Sequence, residues 1–420
     1  MPPAPDPTAP PPPGRAHPAH PRSIDGPDMR GAGRELLSLA LIDARNRTLH
    51  LLSMCGDAPD ALWLAGHAGW FSEWWIARNT QRAFGIACSP RPTRLASVQS
   101  QADGWWTQRP AGLSHLFPGS LPDADVTRAY LLETLENTLD MLDRAVETDA
   151  GLYFYRLALF HEDVCGEELV VRAQTLGLPL EVPLDAPLLP RDAVSLPATA
   201  WALGRSEEGF AFAQECGIQE VEVPAFEIDA QPVTWSQFAE FVDDGGYDRL
   251  ELWRPEGAEW LVRQAEGRRA PRHVEHIGVA HQGVGGAVTQ RRFGHAVRLA
   301  GHRSAVHLNW WEADAWARWA GRRLATEVEW EIAARASAHH GFRWGDVHEW
   351  TANILRPWPG FQPDPWSAGT AFDPRPAFGQ ARVLRGASLA THARLRSPQR
   401  RGFALPAWDE GFVGFRTCAV

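Results

Sequence analysis

Four long segments in which apolar residues recur every three or four positions occupy residues 34–178, and this periodicity limits the possible fold more than any other feature of the chain. The segments are GRELLSLALIDARNRTLHLLS, ALWLAGHAGWFSEWWIARNTQRAFG, DVTRAYLLETLENTLDMLDRAVE and GLYFYRLALFHEDVCGEELVVRAQTLG. This spacing places the apolar side chains on one face of each helix, where another helix can bury them. The region therefore predicts a four-helix bundle.

The chain changes character after residue 178. Residues 179–219 place prolines between short apolar runs and predict a linker, whereas residues 1–33 are rich in proline and predict a disordered tail. Residues 220–420 combine the strand-like alternation of VEVPAFEID with two helical segments and long stretches rich in Gly, Pro and Trp. We therefore expect an α+β multidomain protein, with a helical domain at 34–178 and an α+β domain at 220–420.

Composition and charge exclude several classes of function. The 41 Lys and Arg against 51 Asp and Glu give a net charge of -10, which argues against sequence-independent binding of nucleic acid. No stretch approaches the roughly 18 uninterrupted apolar residues that a membrane helix needs. The five cysteines are far apart and odd in number, which indicates a reducing compartment. We expect a cytoplasmic protein that binds neither nucleic acid nor membrane.

The fourth helical segment contains HEDVCGEE, in which His161, Cys165 and Glu168 project from one helix face. His67 occupies the second segment, and bundles build metal sites from side chains on facing helices. With Glu168 the set approaches the two-histidine, one-carboxylate pattern of non-haem Fe(II), whereas Cys165 favours zinc or a thiolate-ligated iron. The alternative is a set of core histidines beside a buried free cysteine.

The C-terminal stretch RVLRGASLATHARLRSPQRRGF, residues 382–403, concentrates six arginines. One or two of these guanidinium groups are candidates for binding a substrate carboxylate, and most are expected in structural ion pairs. The stretches RPWPGF and DPWSAG predict either the wall of a pocket for a cationic ligand or ordinary packing of loop aromatics.

The motifs of both regions, in their order along the chain, resemble those of a known family. The helical region contains GHAGWFSEWWIAR and FHEDVCGEE, and the second region contains FEIDAQPVTWSQFAEFV, VHLNWWEADAWARWAGRRLATEVEWEIAA, GDVHEWT, PWPGF, RVLRGAS and GFVGFR. From about residue 34 to 420 this series is similar to the ergothioneine-synthase-like sulfoxide synthases. LSLALIDARN, YFYRLALFHED, RRGFALP and FVGFRTCA look most like the selenoneine synthase branch. The resemblance implies a DinB-like four-helix bundle joined to a formylglycine-generating-enzyme-like domain of the C-type-lectin type.

The resemblance also implies a non-haem Fe(II) enzyme that uses dioxygen to join a chalcogen to the imidazole C2 of hercynine. The donor would be a selenosugar in the selenoneine branch and a thiol, such as γ-glutamylcysteine or cysteine, in the ergothioneine branches. Three histidines bind iron in the family, and their positions correspond here to His67, His161 and Cys165. The positions that we assign to substrate binding are Val164, Trp358, Arg401 and Phe403.

The chain departs from the family pattern at several of these positions. The second histidine of the HxxxH motif is Cys165, and VWEWT reads VHEWT at 347–351. A tyrosine that is a candidate proton donor in the family is replaced by Trp358, and tryptophan has no phenolic proton to give. An asparagine-tryptophan-aspartate group corresponds to Gly-Phe-Ala at 402–404, which argues against a γ-glutamylcysteine donor. Two hypotheses follow, an active enzyme with a modified iron site and a divergent binding protein that retains the fold.

Overall fold

The described part of the helical region contains four long α-helices and one short α-helix. The computed structural model describes residues 23–107, 121–182, 189–205, 209–264, 267–278, 287–337, 341–367 and 372–420. The helices of the first region are α1 Arg34–Cys55, α2 Pro59–Ser72, α3 Ala102–Trp106, α4 Ala124–Asp143 and α5 Asp149–Leu176. Helix α2 continues into a π-helical turn over Glu73–Ala77.

The four long helices pack as the periodicity predicts, with α1 and α2 each lying against α4 and α5. The side-chain hydroxyl of Thr148 accepts a hydrogen bond from the Gly151 amide at the start of α5, and Gly177 ends the helix in the left-handed conformation with φ 67°. Most of α5 is buried, because the C-terminal domain packs against it as well, and the buried residues include the polar side chains of Arg156, His161, Glu162, Asp163, Glu167 and Gln174. These polar groups therefore need partners from two directions.

The residues that the structure describes in the C-terminal region form short strands and four further α-helices. The strands are β1 Val194–Leu196, β2 Thr199–Arg205, β3 Gly217–Val223, β4 Phe226–Ile228, β5 Val274–Ile277, β6 Ala287–Arg292, β7 His295–Ala300, β8 Arg323–Leu324, β9 His348–Ile354, β10 Arg382–Gly386, β11 Arg401–Ala404, β12 Val413–Phe415 and β13 Thr417–Cys418. The helices are α6 Trp235–Asp243, α7 Pro255–Val262, α8 Trp310–Trp319 and α9 Glu327–Ala336.

The strands form four small sheets, which confirms the predicted mixture of helix and sheet. Their orders are β1-β4-β13-β8, β11-β10-β9-β12, β2-β3 and β5-β6-β7. Strand β9 lies inside its sheet, antiparallel to β10 and parallel to β12, so the VHEWT motif is held at the centre of the domain. Five of the largest fully buried side chains are tryptophans, four of them in this domain. Among the described residues, no helix is long and apolar enough to cross a lipid bilayer.

The structure forms regular elements inside the segments predicted as tail and linker. Residues 1–22 of the predicted tail lie outside the described residues, but Pro27–Gly31 form a 3-10 helix in which Met29 and Arg30 are buried. Arg30 forms an ion pair of 2.7 Å with Glu215 in the C-terminal region, so long-range pairing orders this part of the chain. The predicted linker, 179–219, contains β1, β2 and the start of β3, because its short apolar runs pair with later strands.

Candidate functional site

His67 lies in α2 with its imidazole oriented by a backbone carbonyl. Its side chain is buried, and its Nδ1 lies 2.8 Å from the carbonyl oxygen of Trp106. A carbonyl only accepts, so Nδ1 carries the proton and Nε2 carries the lone pair, which is the form in which histidine binds a metal. Gly66 permits this contact, since a Cβ at that position would lie 2.0 Å from the Trp106 indole nitrogen.

His161 lies in α5, facing His67 across the bundle. The two ring centroids are 5.2 Å apart, and the His161 ring stacks on Phe71 at 3.6 Å. Its Nε2 is fully buried and has no hydrogen-bond partner. Burial, and to a smaller extent the charge of His67, lowers the pKa of His161 well below its usual value. The result is a neutral, buried imidazole nitrogen available to a ligand.

Cys165 lies one turn after His161 and contacts the opposite nitrogen of that ring. Its Sγ is 3.6 Å from Nδ1 of His161, and its side chain is buried. Burial, assisted by the carboxylates of Glu162 and Glu168, raises the pKa of the Cys165 thiol well above its usual value. Burial therefore favours the protonated thiol while no metal is bound, and a metal ion bound at Sγ would displace that proton.

Glu168 is directed into an ion pair instead of towards the histidines. Its Oε1 accepts a hydrogen bond of 2.8 Å from Nε of Arg172, which also contacts Glu410 of the C-terminal domain at 3.2 Å. Seven residues along a helix correspond to a rise of roughly 10 Å, which separates Glu168 from His161. The geometry places Glu168 in the domain interface.

His67 and His161 fit a metal held by two imidazoles, but among the described residues no third ligand atom converges with theirs. Two observations support this fit. The Nε2 atom of His161 has no hydrogen-bond partner, and the Trp106 carbonyl fixes the tautomer of His67 in which Nε2 can bind a metal. Across the described part of the chain, the group of three ligand atoms within 4.8 Å of one another is Asp25, Asp43 and His392, which is partly exposed and lies away from the bundle interior. His67, His161 and Cys165 thus share one buried region without converging on one point.

Two carboxylates of α5 bind the C-terminal domain. Asp163 accepts hydrogen bonds of 2.7 and 3.0 Å from Arg394, and Glu167 is 2.7 Å from Arg400 and 2.6 Å from His348. Burial alone would raise the pKa of Glu167, but Arg400 and His348 hold it well below its usual value. The histidine of the VHEWT motif thus serves as a domain contact, a role that the sequence did not indicate.

Three of the four predicted substrate-binding residues lie in the C-terminal domain. Arg401 is buried, forms two hydrogen bonds of 2.8 and 3.2 Å with Glu327, and lies with its guanidinium carbon 4.4 Å from the centroid of the Trp358 indole. Phe403, on β11, packs on a small cluster around Leu355, and Val164 packs on the core of the bundle. Arg401 is thus engaged by protein groups in this arrangement.

A buried carboxyl and a tyrosine that the sequence analysis missed border a separate cavity. Asp364 Oδ2 accepts a hydrogen bond of 2.9 Å from the Ala213 amide, and Oδ1 lies 3.4 Å from the Tyr153 hydroxyl. Two residues further on, Trp366 approaches the edge of His161 at 6.4 Å. The DPW stretch had suggested a pocket wall, but nothing local in the sequence joins Asp364 to Tyr153, which lies 211 residues earlier.

Both regions of the chain are similar to known proteins. Residues 186–346 match the model of the Sulfatase-modifying factor enzyme 1-like domain, beginning within the predicted linker. The chain is 31% identical to the hercynine oxygenase of Mycolicibacterium smegmatis, covering 91% of this chain and 98% of that protein. It is 30% identical to that of Mycolicibacterium thermoresistibile, covering 91% and 94%. It is also 29% identical to the formylglycine-generating enzyme of Streptomyces coelicolor, covering 56% of this chain and 91% of that protein.

Proposed function

The chain belongs to the hercynine oxygenase family, and from this membership we propose that it catalyses an iron-dependent oxidation in which dioxygen drives bond formation at the imidazole C2 of hercynine. The observation that carries the proposal is the extent of the match. It covers 91% of the chain, so it includes most of the helical bundle as well as the C-terminal domain. The helices that present His67 and His161 to each other belong to the bundle.

The proposed product is selenoneine, with selenium delivered by a selenosugar, because the sequence motifs are most similar to that branch of the family. Joining the C2–H of hercynine to the Se–H of the selenosugar forms the C–Se bond and releases two protons and two electrons, which reduce dioxygen to hydrogen peroxide. The adduct still carries the sugar, and hydrolysis of its sugar–selenium bond, with water taking up the sugar, then gives selenoneine. Residues 402–404 are Gly, Phe and Ala, and Phe403 packs on the Leu355 cluster, so this segment offers no polar side chain to a peptide thiol. This supports the selenosugar over γ-glutamylcysteine.

His67 and His161 are the residues that would hold Fe(II) in this proposal. Bound iron would supply the one-electron chemistry that dioxygen requires. The Trp106 carbonyl orients His67, and the Cys165 thiol at Nδ1 of His161 orients the second ring. Phe71, Trp366 and Phe372 lie around His161 and keep bulk water from its ring. Cys165 is a candidate metal ligand from the sequence, but we propose here that its thiol orients the ring of His161 instead of binding the metal.

A binding protein without catalysis is the second candidate, favoured by one observation. The family's third imidazole is replaced by Cys165, and the ligand atoms of His67, His161 and Cys165 do not all lie within 4.8 Å of one another, so a ligand of the family set is missing in this arrangement. Such a protein would bind hercynine through the retained domain interface and would not turn it over.

One experiment separates the two candidates. Iron-loaded protein is incubated aerobically with hercynine and, in parallel, a 1-selenosugar, cysteine or γ-glutamylcysteine, and products are identified by mass spectrometry. We expect the selenium isotope pattern in a hercynine adduct, no product without dioxygen and none from a His67→Ala variant. A sulfur adduct alone would replace the selenosugar by a thiol. Hercynine binding without any adduct would favour the binding protein.

A further inference from the structure

Three tryptophans and His67 form a continuous stack of rings along one face of α2 and the π-helical turn that follows it. The ring centroids of His67 and Trp70 are 5.5 Å apart with an interplanar angle of 22°, and those of Trp70 and Trp74 are 4.9 Å apart at 28°. On the other side of His67, Trp63 stacks at 4.6 Å. Trp70 is 3% exposed, whereas Trp74 is only partly buried. These four rings, the α2 stack, therefore extend from one imidazole of the candidate metal site towards the surface.

The indole of Trp70 has a proton acceptor that reaches solvent. Its Nε1 donates a hydrogen bond of 2.8 Å to Oδ1 of Asp103, whose side chain is 47% exposed. Arg78 donates to both oxygens of the same carboxylate, at 2.6 and 3.0 Å, and its guanidinium holds the pKa of Asp103 below its usual value. Asp103 is therefore ionised at neutral pH. An indole that loses an electron becomes a much stronger acid at Nε1, so a carboxylate bonded to this atom can take up the proton.

The charges around the α2 stack favour oxidation of Trp70 over oxidation of Trp74. The guanidinium carbons of Arg94 and Arg78 lie 4.1 and 4.7 Å from the centroid of the Trp74 ring. Two cations over one ring are attracted to its electrons and disfavour a positive charge on it. Trp70 is instead bonded to the Asp103 carboxylate. An electron is therefore removed more easily from Trp70, the inner of the two indoles.

An oxidant formed at the candidate metal site would endanger the groups around it. The Sγ of Cys165 lies 3.6 Å from Nδ1 of His161, and an oxidised thiol proceeds to forms that are not easily reversed. The ring of His161 lies 5.2 Å from that of His67, and Trp70 lies 5.5 Å from His67 on the other side. An indole at this position that is oxidised and then reduced again would spare the thiol.

We propose that Trp70 is a redox-active residue that protects the site, donating one electron to it through the ring of His67 and its indole proton to Asp103. This inference rests on the proposed function, which supplies a dioxygen-derived oxidant when hercynine is absent. The oxidant gains one electron, and Trp70 becomes a neutral tryptophanyl radical as its Nε1 proton passes to Asp103. A small-molecule thiol in solution then gives one electron by way of the Trp74 ring and one proton to water, while Asp103 returns its proton to Trp70. Two of the resulting thiyl radicals join as a disulfide.

The first test follows oxidative damage in the iron-loaded full chain, kept with dioxygen and a thiol but without hercynine. We expect oxidation of Cys165, mapped by peptide mass spectrometry, to rise severalfold in Trp70→Phe, because the phenyl ring that remains is much harder to oxidise. Asp103→Asn removes the proton acceptor and should give a smaller rise. Trp319→Phe is the matched control and should equal the wild type, since the Trp319 indole also donates a hydrogen bond of 2.8 Å to a carboxylate, that of Asp244.

The second test uses the metal-free full chain and does not depend on iron. A photo-excited one-electron oxidant in solution generates tryptophanyl radicals, and transient absorption and electron paramagnetic resonance distinguish the neutral radical from the radical cation. We expect the yield of the neutral radical to fall in Trp70→Phe and to be unchanged in Trp319→Phe. In Asp103→Asn the radical should shift towards the cationic form, because its proton acceptor is gone.

The outcomes distinguish the role of Trp70 from the proposed function. Equal Cys165 oxidation in the wild type and Trp70→Phe, with a hercynine adduct formed by both, would overturn the role of Trp70 and leave the function standing. A Trp70-dependent neutral radical in the metal-free chain, without any hercynine adduct from the iron-loaded chain, would support a redox-active Trp70 and contradict the function. Equal yields of the neutral radical in the wild type and Trp70→Phe would overturn the proposal. Urea denaturation verifies that Trp70→Phe is folded, and Asp103→Asn provides the test if it is not.

Discussion

The buried polar groups of helix α5 lie in two different environments. Towards the C-terminal domain, Asp163 and Glu167 are each matched by an arginine, Arg394 and Arg400. Towards the bundle interior, His161 has an unpartnered nitrogen and is surrounded by aromatic rings. A fold retains an unpaired buried group only where a ligand satisfies it or the rest of the structure compensates its cost. The comparison separates the part of the HEDVCGEE motif that joins the domains from the part that can bind a ligand.

We expect the largest effect, on iron affinity, from the loss of His161 on the side of α5 that faces the bundle interior. His161→Ala removes one of two imidazoles and should reduce iron affinity by more than the roughly 10–100-fold that loss of an outer partner costs. The check is anaerobic titration of metal-free protein with Fe(II), with His392→Ala as the control because His392 lies in the separate, partly exposed group. Unchanged iron binding in His161→Ala would contradict the two-imidazole site.

The paired side of α5 should respond through stability instead of metal binding. Arg394→Met leaves Asp163 buried without its partner, and we expect a loss of about 3–5 kcal/mol in the free energy of unfolding. Urea denaturation measures this loss. Arg128→Met is the matched control, since its ion pair with Asp125 is exposed and should contribute less than about 1 kcal/mol. Similar losses in both variants would show that the interface pair has no special role.

Asp364 extends the comparison to a carboxyl that is buried but unpaired. Its pKa in the folded protein, about 7, lies above the ordinary value of 3.8, so the folded state holds the proton that the unfolded state releases. Stability should therefore fall as pH rises from about 4 to 7, by at most about 1.4 kcal/mol per pH unit from this group. Asp364→Asn should be less sensitive to pH over this window and more stable than the wild type at pH 8. An unchanged pH profile of the melting temperature would contradict this assignment.

Cys165 should give the smallest effect if it orients His161 without binding the metal. Cys165→Ser retains a small polar group beside Nδ1, and we expect iron affinity to change by no more than about tenfold. Cys55→Ser, at another buried thiol, controls for the general effect of the replacement. A loss as large as that of His161→Ala would restore Cys165 as a ligand.

Cys165→His tests the same assignment in the opposite direction. Restoring the family's imidazole should raise iron affinity and turnover. Equal or lower turnover, in a variant shown to be folded, would count against the idea of a modified site.

The sequence was a reliable guide where the deciding signal is local. The apolar spacing within residues 34–178 predicted the four long helices, since each helix needs only its own face pattern. The sequence was a poor guide where the partner of a strand or side chain is distant along the chain. The short apolar runs of 179–219 looked like a linker because their partner strands, such as β4 and β3, are visible only after folding. The sequence did not predict Asp364 as a site residue, because its burial and its neighbours depend on the packing of both domains.

Residue types in α5 and α2 were thus determined by the sequence alone: a histidine on each helix, a cysteine one turn later and four acidic residues between 162 and 168. Their roles were decided by the tertiary structure. Arg394, which pairs with Asp163, lies 231 residues further along the chain, and Arg400, which pairs with Glu167, lies 233 residues further. Burial, which is a property of the packed domains, raises the pKa of the Cys165 thiol and lowers the pKa of the His161 imidazole. Helix periodicity fixes which side chains share a face, but only the packed partner determines what that face meets.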